Sequence, residues 1–397
     1  MAHLLLVIIY ISFISLGLPD SLLGSAWPAM HESLSVPLSY AGYVSMVISL
    51  GTIVSSFFSA RLTRRFGTGR ITAVSVAMTA VAMLGFSLSE SYILLLLWAI
   101  PYGFGAGSID AALNNYVALN YAPRHMSWLH CMWGVGTVVG PYVMGYALTR
   151  GISWSFGYRT ISVIQAVLTV LLIVSLPLWK KGSGSMSADE ESGAPGENKS
   201  IRELFAIGGV PQVLITFFCY CALEIIAIVW SGTYLAFDRG FSAESAASVS
   251  SMFFIGITVG RAVGGFLTYK LNDRQMIRLG EGVIALGCLI LLATEGKIPA
   301  LVGLFCIGVG CAPVYPSVIH STPEYFGREN SDALIGLQLT FAYTGMCIMP
   351  PVFGWVAERI SPSVFPIVLA AILIVIACMH EWMIACTKRS KSAGISA

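Results

Sequence analysis

The sequence predicts an all-α, polytopic membrane protein: twelve transmembrane helices in two pseudo-symmetric six-helix bundles. Three observations carry this expectation. First, 56% of the 397 residues are hydrophobic and 11% charged, against about 25% charged in a soluble domain, and mean hydropathy is +0.79. Second, the apolar residues fall in long runs, each able to cross ~30 Å of hydrocarbon as a helix of ~20 residues; a β-barrel would need alternating strands of ~10 residues. Third, one polar stretch divides the chain into halves that resemble each other.

The spans are expected at 4–30, 39–62, 70–89, 91–120, 125–149, 157–179, 206–237, 243–270, 275–295, 297–325, 331–357 and 362–386. The first has no basic segment ahead of it and stays apolar through Pro19 and Asp20 to Trp27, so it reads as a span and not as a cleaved leader. The second runs into the basic "ARLTRR", and the sixth into Lys180 and Lys181. In the tenth, "APVYP" (312–316) carries Pro313 and Pro316 and is expected as a broken, gate-like segment or a kink. Between the sixth and seventh lies "KKGSGSMSADEESGAPGENKSIRE", which is Gly/Ser-rich and carries both signs of charge. The expected organisation is an N-terminal bundle over 1–180, a linker over 181–204, and a C-terminal bundle with a short tail over 205–397.

The halves align at a nearly constant offset. A shift of 205 sets "GTIVSSFFSARLTRR" (51–65) on "GITVGRAVGGFLTYK" (256–270) and "GFGAG" (103–107) on "GVGCA" (308–312). A shift of 209 brings "GPYVMGY" (140–146) to "PPVFGW" (350–355). Two parallel six-span repeats are an architecture of secondary transporters, with the site between the repeats. With the N-terminus inside, the inside segments hold 16 Lys and Arg, the outside loops and their edges 5, and Arg261 inside a span completes the 22. That bias places both termini and the linker in the cytoplasm. The expected location is a bacterial inner (cytoplasmic) membrane, and the expected state a monomer.

Several function classes fall away. Net charge is +2 and no basic block marks a nucleic-acid partner. The nine cysteines lie inside apolar segments without metal spacing, so no metal and no cofactor is expected. "GFGAG" lacks the preceding strand of a dinucleotide site and reads as helix packing. A membrane-embedded enzyme would need a nucleophile–base set or metal ligands, and neither HExxH nor GxSxG occurs. No GxxxxGK[ST] marks an ATP site, so movement must draw on an ion or solute gradient.

Four ionisable residues lie well inside spans: Asp20, Asp110, Glu224 and Arg261. A charge at the bilayer centre costs roughly 2.5–3.5 kcal/mol on insertion scales, so each needs a partner, a water-filled cavity or a proton. Asp110 shares a helix face with Asn114, one turn on, and Gly103, Gly107 and Ala111 form a stripe that admits a close neighbour. It is a candidate proton carrier, with structural pairing or direct solute contact as alternatives. Asp20 follows Pro19, which frees backbone carbonyls to line a cavity. Glu224 lies 204 positions later, nearly its symmetry mate, with Tyr220 on its face. Arg261 cannot shed its charge and is expected to pair with Glu224 or Asp110, as a static tie or as a coupling device. His130, Trp133 and Gln338 are candidate cavity residues, and Trp230 a candidate stacking surface for a solute ring. Lone membrane histidines also serve as packing residues, and tryptophans as interfacial anchors.

The hairpin "ARLTRRFGTGR" (60–70) resembles the loop signature of the major facilitator superfamily, Gly-xxx-Asp-Arg-x-Gly-Arg-Arg. Arg65 and Gly67 fit it, Arg70 falls one place late, and Ala60 and Arg64 stand where glycine and the acid are usual. Within that superfamily, "GLPDSLLGSAWP" (17–28), "GAGSIDAALNN" (105–115) and "YCALEIIAIVW" (220–230) resemble the fucose/galactose/glucose:proton symporter family. The resemblance covers essentially the whole chain and implies the major facilitator fold. It also implies proton coupling and sugar binding through the acids at Asp20 and Asp110, and a gating role for Arg65 and Arg70. Asn115 joins Asn114 as an expected solute contact. The resulting expectation is a proton-coupled symporter of a small polar solute, a sugar, working by alternating access. The alternative is a proton-coupled exporter of drugs or lipid-like compounds, which Phe217, Phe218, Phe253 and Phe254 leave open.

Overall fold

The computed structural model describes residues 2–121, 123–182 and 201–392, and among these the chain is almost entirely helical, with no strand. The first span is two helices, α1 (Ala2–Asp20) and α2 (Leu22–Ser33), meeting at Ser21. The N-terminal half continues with α3 (Tyr40–Phe66), α4 (Thr68–Ser87), α5 (Tyr92–Asn120), α6 (Pro123–Thr149) and α7 (Trp154–Gly182). The linker expected over 181–204 lies mostly outside the described residues; its end is the short α8 (Ile201–Ala206). The second half holds α9 (Val210–Asp238), α10 (Ala243–Val249) with α11 (Ser251–Leu267), α12 (Asp273–Ala293), α13 (Lys297–Phe326), α14 (Arg328–Arg359) and α15 (Phe365–Ser392). Eleven stretches among the described residues are long and apolar enough to span a membrane; α6 is long enough but lies outside that set. The tenth span corrects one expectation. α13 runs unbroken through Pro313 and Pro316, so "APVYP" is not a gap in the helix. Neighbouring helices tolerate the lost donors of an interior proline within a bundle.

Glycines set how the helices pack. Cβ atoms on Gly103 and Gly107 would run into the carbonyl oxygens of Ile48 and Thr52, so α5 lies directly against α3 there. Hydroxyls reinforce that seam: Thr52 donates to the Gly103 carbonyl at 3.3 Å, Ser56 to Gly107 at 3.1 Å and Ser59 to Ser108 at 3.3 Å. The second half repeats the device at the same offset. A Cβ on Gly51 would stand 3.1 Å from the Gly103 Cα, and one on Gly256 the same 3.1 Å from the Gly308 Cα. Small residues let membrane helices approach closely, where packing replaces the hydrophobic drive that lipid removes.

The halves meet along three seams: α3 with α14, α6 with α10 and α11, and α2 with α9. Contact is densest at the end away from the linker. There Gly24 faces the carbonyls of Ile228 and Val229, Gly42 faces the Pro350–Pro351 backbone, and Gly145 faces Ser248. Trp27, fully buried, donates Nε1–H to the Leu38 carbonyl at 2.7 Å and closes the same end. At the linker end the helices part. No residue from Arg261 to Lys270 is buried, and a Cβ on Gly264, Gly265 or Gly336 would meet little or nothing. The molecule is therefore closed at one end and open at the other.

Candidate functional site

Asp20 sits where the first span breaks. Pro19 has no N–H, which leaves the Ser15 carbonyl without its helical donor. Buried Gln165 of α7 supplies one, donating Nε2–H to Ser15 O at 2.6 Å. The repair lets α1 end at Asp20 with its carboxylate turned out of the helix. Each carboxylate oxygen then has a donor. The Tyr102 hydroxyl of α5 donates to Oδ1, and the Trp133 indole of α6 donates to Oδ2 at 2.8 Å. Trp133 reaches because Gly17 admits the α6 backbone at Trp133 against α1. Donors on a carboxylate form charge-assisted bonds, stronger than neutral ones.

Asp110 and Asn114 share the predicted face of α5. The Asn114 amide donates to Asp110 Oδ1 at 2.9 Å and to its carbonyl at 3.0 Å. On α9, Glu224 stands one turn from Tyr220, whose hydroxyl donates to the Cys311 carbonyl at 2.8 Å with the Glu224 carboxylate beside it. The three acids share one property. Each is partly exposed on a helix whose adjoining residues are largely buried, Ser15–Pro19 before Asp20, Gly105–Ile109 before Asp110, and Cys221–Leu223 before Glu224. They are therefore the more accessible groups on otherwise packed stretches of their helices. Some of these charges are in range of one another. Asp110 feels Asp20 and Arg261, and Glu224 feels Arg261.

Arg261 is where the structure differs most from expectation. Among the described residues it forms no ion pair within 4.0 Å with Asp110 or Glu224, unlike the pairs seen elsewhere in the chain. Its guanidinium lies over the Trp133 ring, with Cζ 4.9 Å from the centroid. A guanidinium on an indole face is held by the ring quadrupole. Its charge is felt by Asp110 of the first half and by Glu224 of the second.

The other expected site residues divide. His130 is half-buried, edge-on to Phe13 at 5.9 Å, within reach of the Arg261 charge. Trp230 does not line the cavity: it is fully buried, donating to the Pro350 carbonyl at 3.2 Å and packed on Phe353 at 5.4 Å. Gln338 is likewise fully buried, accepting from Thr322 at 3.1 Å between α13 and α14. Tyr220 is buried behind Glu224 and supports it. Asn115, one residue past Asn114, is rotated away to an exposed flank. Arg65 and Arg70 are exposed at the linker end, Arg65 over Phe66 at 5.3 Å, and among the described residues neither forms an ion pair. Replacing Trp230 with phenylalanine is expected to leave solute affinity unchanged within about twofold, while the lost hydrogen bond costs about 1 kcal/mol of stability. Binding isotherms beside thermal unfolding check this.

Three tyrosines at the site escaped the sequence reading. Tyr102 holds Asp20. Tyr343 of α14 lies in reach of the Asp110 charge. Tyr315 of α13, partly exposed, packs on Phe217 at 4.9 Å and stands within range of both Asp110 and Glu224. The offset of 205 was the available signal, since it sets Tyr315 opposite Asp110 in the repeat. Among the described residues no group of three or more His, Cys, Asp or Glu could hold a metal ion.

Comparison with known proteins agrees with this architecture. The profile described as the Major Facilitator Superfamily matches residues 9–331 and 212–395. The chain is 22% identical over 364 residues to a hexuronate transporter of Bacillus subtilis (strain 168), covering 86% of this chain and 85% of the relative. It is 23% identical over 282 residues to Multidrug resistance protein 2 of the same organism, covering 70% and 68%. Among solved structures, a bacterial homolog of the human lysosomal transporter Spinster superposes with a TM-score of 0.74 at 11% identity, over 96% of each chain.

Proposed function

The chain belongs to the Major Facilitator Superfamily, and from that premise we propose that it couples proton movement to the import of a small polar solute, a sugar or sugar acid, across a bacterial inner membrane. The observation that carries this reading is that Asp20, Asp110, Glu224 and Arg261, drawn from both halves, are each partly exposed, with Asp20 and Arg261 in range of Asp110 and Arg261 in range of Glu224. Carboxyls in a water-reached cavity are the groups able to load and release protons within a membrane. A solute held between two halves that close at either end in turn is exposed to one side at a time. Hydroxyls and amides at the site, from Tyr102, Asn114, Tyr315 and Tyr343, suit a polyhydroxylated solute. Arg261 would suit a carboxylate on it, as in the hexuronate carried by the Bacillus subtilis relative.

The test is uptake by proteoliposomes with an imposed pH gradient, after a thermal-shift screen of hexoses and hexuronates. The expected result is solute accumulation that alkalinises the outer medium. A second reading, export of amphipathic compounds, draws on the multidrug relative and on the exposed Tyr315 ring, backed by the buried Phe217 and Tyr220. Stabilisation by lipophilic cations with none by sugars would favour it over the first.

A further inference from the structure

We propose that Trp133 and Arg261 are positioning residues that tie the charge on Asp20 to the separation of the two halves. The inference rests on that part of the reading above in which Asp20 exchanges a proton.

The contacts form one chain across the interface. Asp20 of α1 accepts from Trp133 of α6 at 2.8 Å, and the same indole carries Arg261 of α11 on its face at 4.9 Å. Asp20 and Trp133 belong to the first half and Arg261 to the second. An indole that donates its N–H to an anion is polarised toward a more electron-rich ring, as hydrogen bonds in series polarise one another. A richer ring holds a cation more strongly, because the attraction is to the ring quadrupole. Protonating Asp20 removes the anion and weakens the hold on Arg261.

Position makes this consequential. Toward the far end, α6 packs tightly on the second half, with Gly134 against Thr258 and Gly145 against Ser248. Toward the linker end, α11 is unburied from Arg261 onward. The Trp133–Arg261 pair stands at the boundary between the packed and the parted stretches, where a small change of attraction acts on the angle between halves.

The titratable and charged groups around Asp20 are few. α5 contributes Tyr102 and Asp110. α6 contributes His130, and α11 Arg261. α7 contributes Tyr158 beside Tyr102. α2 carries His31 and Glu32 near its other end, and α4 carries Arg70 in its first turn.

Spin labels at Phe66 and Tyr269, exposed on opposite halves at the linker end, would read the opening by pulsed EPR. The full chain would be used in nanodiscs, on a cysteine-depleted background, across pH 5–8 without solute. The Trp133–Arg261 contact is made in the linker-open arrangement, so weakening it destabilises that arrangement: the wild type is expected to lose the linker-open population as pH falls, and Asp20→Asn to abolish that dependence. Trp133→Phe keeps a ring but removes the donor; Arg261→Gln removes the cation at a half-exposed site. Each is expected to lower the linker-open fraction about tenfold at high pH, the scale of a partly desolvated cation–π contact, and to flatten the curve. Arg261→Lys is expected to restore the slope. Curves for Trp133→Phe and Arg261→Gln that superpose on the wild type, or a wild type without pH dependence, overturn the proposal. Uptake is read separately. Gradient-driven accumulation with superposed curves would leave the proposed function standing and sink the inference. Flattened curves without accumulation would do the reverse.

Discussion

Replacing Asp110 with asparagine is expected to abolish concentrative uptake while sparing solute exchange. The substitution is nearly isosteric, and the asparagine oxygen still accepts the 2.9 Å bond from the Asn114 amide. The helix and its seam with α3 therefore stay intact, and only the titratable proton is lost. One pH unit across the membrane represents about 1.4 kcal/mol per proton. A symporter moving one proton per solute accumulates about tenfold for each unit of gradient, and the variant none. Counterflow of labelled against unlabelled solute, which needs no proton, is expected to remain near the wild-type rate. Accumulation ratios under an imposed gradient, set beside counterflow, check this. Wild-type accumulation in Asp110→Asn would remove Asp110 as the carrier.

The second large effect is steric. Gly24→Leu is expected to pry open the end that is closed here. A Cβ at Gly24 would collide with the carbonyl oxygens of Ile228 and Val229, which are backbone atoms and cannot rotate aside. Overpacking of this kind costs about 1–3 kcal/mol, a shift of roughly 5- to 150-fold in a two-state balance. The cost falls on the state in which α2 and α9 touch, so the population moves to the opposite one. Ser25, buried in the closed end, provides the readout: a cysteine there is expected to become alkylated from the far side in the Gly24→Leu background. Gly232→Leu presses on the Gly24 carbonyl from the other helix and is expected to act in the same direction. Unchanged labelling in both would mean that these glycines do not seal the end.

Much of the fold was legible because membrane insertion reads local composition. A run of ~20 apolar residues spans wherever it occurs, and all twelve expected spans correspond to helices within a few residues. The repeat was also legible, because each half buries the same glycine pair: Gly51 on Gly103 and Gly256 on Gly308 are the 205-residue offset made physical. For the site, the acids stood out because an ionisable residue within an apolar run is costly and therefore conspicuous. The face shared by Asp110 and Asn114 followed from helical spacing alone.

What lay outside the reach of sequence was partnership between helices. Trp230 and Gln338 have the chemistry of cavity residues, yet the rotation of α9 and α14 turns them into packing. Tyr102 looks like one aromatic residue in an apolar run until α1 brings Asp20 to it. Arg261 was matched to an acid by charge, and the structure set it on an indole instead. Which end is open has no sequence signal either, because it is set by contacts between helices of different halves, such as Gly24 against Ile228 and Val229. By itself the sequence determined a twice-repeated helical membrane protein with acids in its interior, since span length, apolarity and buried charge are properties of single segments. Only the tertiary structure decided which groups those acids meet, because that depends on the depth and rotation of each helix, which glycine contacts on several neighbours fix together.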